Sequence, residues 1–391
     1  MPIISSVASD SDGLGPARHR DLRLDFFRGL ALVFIFLDHI PSNLVSWITI
    51  RNYGFSNAAE LFVFISGYTA TITYRSAMKR AGFLLTAAHI LRRCWQLYVA
   101  HIFLFTIFTA QIVYLATRFH HPIFIEEMQI NHFLNETDVT LGQALLLKYR
   151  PANLDILPLY IVLLVSFPAV LWSMERNPGV TLMVSVLIYL SARTLHLNFA
   201  SYPPGEGWFF NPLTWQLLFV LGAALGLYHR SAPPAVLRNP ATFWLAVLYL
   251  VFACAVALSW QLPDGSAYMP IWLGKILYPI SKTNLDPVRL LHFLALAYVT
   301  VCVVHEDTPF FKRRISQPLI RCGQHSLYVF CLSIVLSFSG HFLLVESAAA
   351  CSCRFSYPPP GSRSWSASRI SSHGIVAPRE SSRVSSVDRA H

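Results

Sequence analysis

Nine stretches of this chain are apolar over roughly the length of a membrane-crossing helix, and that repetition leaves few folds open. They are 24–45, 58–74, 87–117, 155–174, 179–196, 212–229, 241–261, 288–304 and 324–345. A hydrocarbon core about 30 Å thick takes about 20 helical residues to cross. Inside it every backbone N–H and C=O must find a partner within the protein, and a helix meets that demand segment by segment. Hydrophobic residues make up 54% of the chain and charged residues only 13%. A soluble domain carries roughly 25% charged residues. The expected fold class is an all-α polytopic membrane protein with about nine transmembrane helices. The third stretch is long enough to tilt or to project from the bilayer. Segment 140–150, TLGQALLLKYR, is too short to cross and is expected at the interface.

The flanks have a different composition. Residues 1–20 are polar and lack an apolar h-region, so no cleavable signal peptide is visible and a disordered tail is expected. The membrane domain is placed at 21–346. From Ser347 to His391 there are 13 serines and six arginines in 45 residues and no apolar run, so 347–391 is expected to be disordered. With the N-terminus inside, the loops of that side hold sixteen Lys and Arg against eight on the other. That bias favours a cytoplasmic N-terminus. The same bias and the basic tail account for the net charge of +10, so nucleic acid is not an expected partner. Cys94, Cys254, Cys302 and Cys331 sit inside spans, and no Cys or His spacing suggests a metal site or a disulfide framework.

The first span, RLDFFRGLALVFIFLDHIP, carries the most unusual polar pattern. Arg28 and His39 are eleven residues apart, which is three helical turns, so both share one face about 16 Å apart. Asp25 lies on that face as well, three residues before Arg28 and placed to pair with it. Ionisable residues inside a span are costly and mark function by default. His39 has the side chain of a general base, and Pro41 disfavours helix beyond it, so His39 is expected at a kink or span end within reach of a substrate. The alternative is a buried histidine bonded to a neighbouring helix. Arg28 has the forked donors that hold a phosphate or carboxylate, and it also suits a topology anchor. Asp38 is roughly 80° around the helix and either orients His39 or faces an outer loop.

Asn57-Ala-Ala-Glu60 opens the second span in the pattern of a capping box. Ser66 and Gly67 then fall at mid-membrane, where small residues allow close helix packing or a narrow channel. Arg75, Lys79, Arg80, Arg92 and Arg93 form a basic cluster on the inner side, suited to nucleotide phosphates or to lipid headgroups. The long outer segments 118–154, 197–211 and 262–287 are rich in aromatics, among them Tyr202, Trp208, Phe209, Phe210, Tyr268, Trp272 and Tyr278. These suit an interfacial belt or stacking platforms for sugar rings.

The runs RLDFFRGLALVFIFLDHIP, GFSNAAELFVFISGY, RRCWQLYVAHI, NPLTWQLLFVLG, SKTNLDPVRLLHFLALAY and CGQHSLYVF resemble the OpgC family. Members of that family are associated with succinylation of osmoregulated periplasmic glucans, and they are similar to the acyltransferase-3 superfamily. The resemblance covers roughly Arg20 to Glu346. It implies an acyltransferase of the bacterial inner membrane. The implied donor is an acyl-CoA acting as co-substrate, succinyl-CoA in the favoured case, and the acceptor is a periplasmic glucan hydroxyl. No bound cofactor and no metal are implied. The superfamily's Arg and His of the first span fall on Arg28 and His39, and its Ser-Gly-aromatic motif falls on Ser66, Gly67 and Tyr68. On this reading the catalytic candidates are His39, Arg28, Asp25 and Asp38. Glu60, Ser66, Tyr68, Trp208 and Lys282 are candidates for substrate binding, and Arg75, Arg80, Arg92 and Arg93 for donor binding. The superfamily has ten spans where nine are visible here, so a tenth is expected to be missing and the tail reads as truncated or out of frame. Two other readings stay open. A transporter of an anionic metabolite would also place an Arg and a His in a membrane pathway, although no internal repeat is visible. An inactive remnant is the third.

Overall fold

A computed structural model describes residues 21–205, 207–228, 238–259, 270–305 and 308–355. The tail 1–20, Arg230, Tyr268 and the chain beyond Phe355 lie outside the described residues. Among the described residues all regular structure is helical. The longer helices are α1 (Leu22–Asp38), α2 (Ala58–Arg118), α6 (Ile156–Arg176), α7 (Pro178–Thr194), α8 (Pro212–Leu227), α9 (Pro240–Ser259), α11 (Pro287–Val303) and α13 (Ser326–Phe355). Short helices α3 (Ile123–Glu127), α4 (Asn131–Asn135) and α5 (Thr137–Leu145) follow α2. Helices α10 (Ile271–Leu277) and α12 (Gln317–Gln324) precede α11 and α13. Helix α2, α6, α9 and the Ser326–Ser347 part of α13 are long and apolar enough to cross a bilayer, while α7, α8 and α11 are apolar but shorter. Each expected span coincides with a helical segment, so the all-α reading holds. Among the described residues, four helices meet the crossing length, so nine crossings are not established.

The second and third expected spans are joined in α2. The break is at Gly82, whose φ of 76° and ψ of −176° are not helical. Residues on either side of it line one cavity, Ser66 with Leu97 for example. In a straight helix those two would stand about 46 Å apart. The chain therefore folds back at Gly82, a position where a left-handed φ suits glycine.

Helix α1 stops at Asp38 and not at residue 45. Pro41 cannot extend the helix, Ser42 has φ 58°, and the Asn43 side chain donates to the Leu37 carbonyl at 2.9 Å. At the other terminus α13 runs through Phe355, past the expected domain edge at 346.

Helix ends that share a side are tied together. At one end Arg75 of α2 bonds Glu175 of α6 and the Leu227 carbonyl of α8. At the other, Arg289 of α11 pairs with Glu60 of α2, and Tyr189 of α7 donates to the Leu285 carbonyl. Two glycine crossings set the packing. A Cβ on Gly67 would collide with the Phe219 carbonyl of α8, and one on Gly222 with the Phe64 carbonyl of α2. Gly29 of α1 and Gly323 of α12 meet in the same way. Such contacts let helix backbones approach closely where lipid supplies no hydrophobic drive. Between them lies a core that includes Phe108, Phe167, Phe219, Phe338 and Trp215. Outward faces are apolar too, with Trp244, Leu245 and Leu248 of α9 each more than half exposed. An exposed apolar surface of this kind belongs against lipid.

Candidate functional site

The polar stripe of α1 opens onto two different places. Near its middle, Arg28 borders a cavity of about 230 Å³. Phe62, Ser66, Thr69 and Thr73 of α2 line one wall of it, at the 4-, 3- and 4-residue steps that keep side chains on one helix face. The returning half of α2 adds Arg93, and α6 adds Tyr160. Arg28 Nη2 donates to Thr69 Oγ1 at 2.5 Å. Arg93 Nη1 donates to Gln96 Oε1 at 3.1 Å. Both guanidinium charges act electrostatically on Tyr160, and that of Arg93 on Tyr74 as well. No carboxylate lines the cavity among the described residues. It is a narrow polar slot with two cations and several hydroxyls, framed by apolar side chains.

His39 is not in that cavity. It caps the far end of α1, where its N–H donates to the Ile35 carbonyl at 3.1 Å. Its Nδ1 is buried with no hydrogen-bond partner among the described residues. The charges of Lys282 and Arg51 act on its ring. Lys282 sits in the loop before α11, with Nζ 5.3 Å from the centre of the Phe209 ring and 5.2 Å from that of Phe210. Burial and the neighbouring Arg289 lower its pKa to about 8, against the opposing pull of Glu60 and Asp38.

The other candidates divide between these places and structural duties. Asp25 is buried on α1, and Gln324 of α12 donates to it at 3.5 Å. Asp38 accepts from Thr49 Oγ1 at 2.7 Å, so it faces the loop, as one of the two sequence alternatives has it. Glu60 is fully buried. It completes the capping box by accepting from the Asn57 N–H at 2.9 Å, and its other oxygen accepts from Arg289 Nε at 2.8 Å. Ser66 lines the cavity, but its hydroxyl donates to the Phe62 carbonyl at 2.7 Å. Tyr68 lies outside the cavity lining, with its backbone against Gly226 of α8. Trp208 is 4% exposed beneath the Arg150 guanidinium, 4.4 Å from its ring centre, whereas neighbouring Phe209 is 46% exposed. The basic cluster is split. Arg75 and Lys79 pair with Glu175, Arg80 and Arg92 point outward, and Arg93 alone of the cluster enters the cavity.

Thr69, Tyr74, Tyr160 and Arg289 were not singled out in the sequence. The stripe spacing from Phe62 to Thr73 could have pointed to Thr69. Tyr160 and Arg289 are brought in by tertiary packing, for which a single sequence carries no mark.

A family model described as OpgC protein matches residues 20–353. No curated protein and no solved structure matches the chain.

Proposed function

The chain belongs to the OpgC family, and from that premise we propose that it moves an acyl group, succinyl from succinyl-CoA in the favoured case, onto hydroxyls of a periplasmic glucan. The membrane setting is the bacterial inner membrane, with the N-terminus in the cytoplasm. The observation that supports the reading best is the division of α1. Its middle opens on a slot holding Arg28 and Arg93, and its end presents His39 about 16 Å away. A slot of about 230 Å³ is smaller than whole small-molecule sites, which run from about 300 to 1,000 Å³. It suits one slender part of a donor.

The donor arm enters from the Arg75 end and runs through the slot, where guanidinium and hydroxyl groups bind its amides. The thioester then lies towards His39. The neutral imidazole takes the proton of the acceptor hydroxyl as its oxygen attacks the thioester carbonyl. The C–O bond forms, the C–S bond breaks, and the imidazolium returns the proton to the leaving thiolate. Asp25 or Asp38 is the supporting carboxylate of the same helix; Asp38 adjoins His39 in the chain, with its own hydrogen bond from Thr49. Direct transfer of this kind calls for no metal.

Membranes carrying the full chain, given acyl-CoA labelled in the acyl group, test the reading. Label transferred to added glucan together with stoichiometric free thiol is the expected result. Label that crosses the membrane still joined to its carrier, with no thiol released, would instead mark a transporter.

A further inference from the structure

At the His39 end, among the described residues, one ring nitrogen lacks a hydrogen-bond partner and one ammonium lacks a carboxylate. The Nδ1 of His39 is buried and unbonded among the described residues. Lys282 has no carboxylate at ion-pair distance among the described residues, and its ammonium rests on the faces of Phe209 and Phe210. The nearby carboxylates are already engaged, Glu60 by Arg289 and Asp38 by Thr49. The charge of Lys282 acts on the His39 ring, so the two groups lie at the same end of the helices. An ammonium partly withdrawn from water, resting on ring faces and with no carboxylate beside it, gains from an arriving anion.

Resting on the acyl-transfer reading, we propose that Lys282 selects the donor by pairing its ammonium with a carboxylate at the far end of the acyl group. The geometry orders the parts. If the donor arm passes Arg28 and the thioester carbonyl lies at His39, the acyl chain extends beyond His39, towards Lys282. The Trp215 indole donates to the Lys282 carbonyl at 3.1 Å, and the Thr283 carbonyl receives both that indole and the Asn211 N–H. The backbone that carries the ammonium is thereby held in place. Lys282 is a specificity residue here, and the proton transfer remains with His39.

The test uses the full chain in membranes with succinyl-CoA and butyryl-CoA, which match in carbon count and differ in the terminal carboxylate. Wild-type protein should prefer succinyl-CoA. Lys282→Gln should cut the ratio of the two kcat/KM values by about 10–100-fold, the range for losing a charged hydrogen bond in a desolvated site. Lys282→Arg should keep most of the preference. An unchanged ratio in Lys282→Gln, including an equal fall with both donors, would overturn the proposal. An equal fall would point to phosphate binding, to oxyanion stabilisation or to loop support.

A wild-type measurement needs no variant. The groups facing Lys282 are Asp38 and His39 of α1, Arg51, Glu60 of α2, Asp155 and Arg289 of α11. With a pKa lowered to about 8, the ammonium is present below that pH and lost above it. The preference for succinyl-CoA should fall between about pH 7 and pH 9. A flat ratio would count against Lys282. A wild-type chain that transfers neither acyl group would overturn the acyl-transfer reading itself, and the inference with it.

Discussion

At position 39 an imidazole stands just past a helix end, with one ring nitrogen buried and unbonded among the described residues. Buried polar atoms are almost always paired, so an exception calls for an explanation, and catalysis is one. His39→Ala should lower acyl transfer by about 10²–10⁴-fold, the usual yield of a general base, while the protein accumulates in the membrane at normal levels. Near-normal transfer would end the assignment. Arg28 makes a different demand. Its guanidinium binds Thr69 and faces Tyr160 across the cavity. If two of its donors are used at once, Arg28→Lys should lose nearly as much donor turnover as Arg28→Ala, because an ammonium is a single point charge. Full activity in Arg28→Lys would reduce Arg28 to a topology anchor.

The separation of Arg28 and His39 along α1 was legible from spacing, because helical rise converts eleven residues into about 16 Å; that they open onto two different places was not. Which of two adjacent arginines, Arg92 or Arg93, enters the cavity was not. That choice is set by how the returning half of α2 rotates against α6 and α13. Lys282 was named among the candidates, but its setting between Phe209 and Phe210 joins segments more than seventy residues apart.

At the scale of elements, apolar runs located the helices because in lipid each one must satisfy its own backbone. Their limits were less legible. Asn57 and Glu60 wrote the start of α2 into the sequence, and the capping box is present in the structure. The end of α1 depends on Pro41, Ser42 and Asn43 acting together, and apolarity through residue 45 hid it. For Gly67 the sequence left close packing or a narrow channel open, and the structure gives packing: its partner is a carbonyl of α8, which cannot swing aside as a side chain can. Gly67→Val should cost about 1–3 kcal/mol through overpacking, seen as a lower midpoint in thermal unfolding of the detergent-solubilised protein. An unchanged midpoint would mean that α2 and α8 part easily.

Glu60 serves two elements at once, the N-terminus of α2 and Arg289 of α11. Glu60→Gln would leave Arg289 partly unpaired in a buried setting, at a cost of about 3–5 kcal/mol when such a partner is removed outright. The amount of folded protein extracted from membranes should fall sharply. Normal levels with a selective loss of acceptor binding would shift Glu60 from a structural to a substrate-binding role.

Across the whole molecule, helices bridge two ends that carry different chemistry. One end is basic and tied by Glu175, and the other holds His39, Lys282 and a cover of aromatic side chains. A cavity at Arg28 lies between them. A protein that joins a donor from one compartment to an acceptor in another needs such a division. The proposed activity is the decoration of glucan with acyl groups. The direct measurement is mass spectrometry of periplasmic glucans from cells with the chain and from cells without it. Glucan species raised by one fixed mass per substituent, that of an added succinyl group, are expected only where the chain is present, and are expected to be gone in His39→Ala. Identical glucan masses with and without the chain, in membranes shown to contain it, would rule out glucan acylation by this protein.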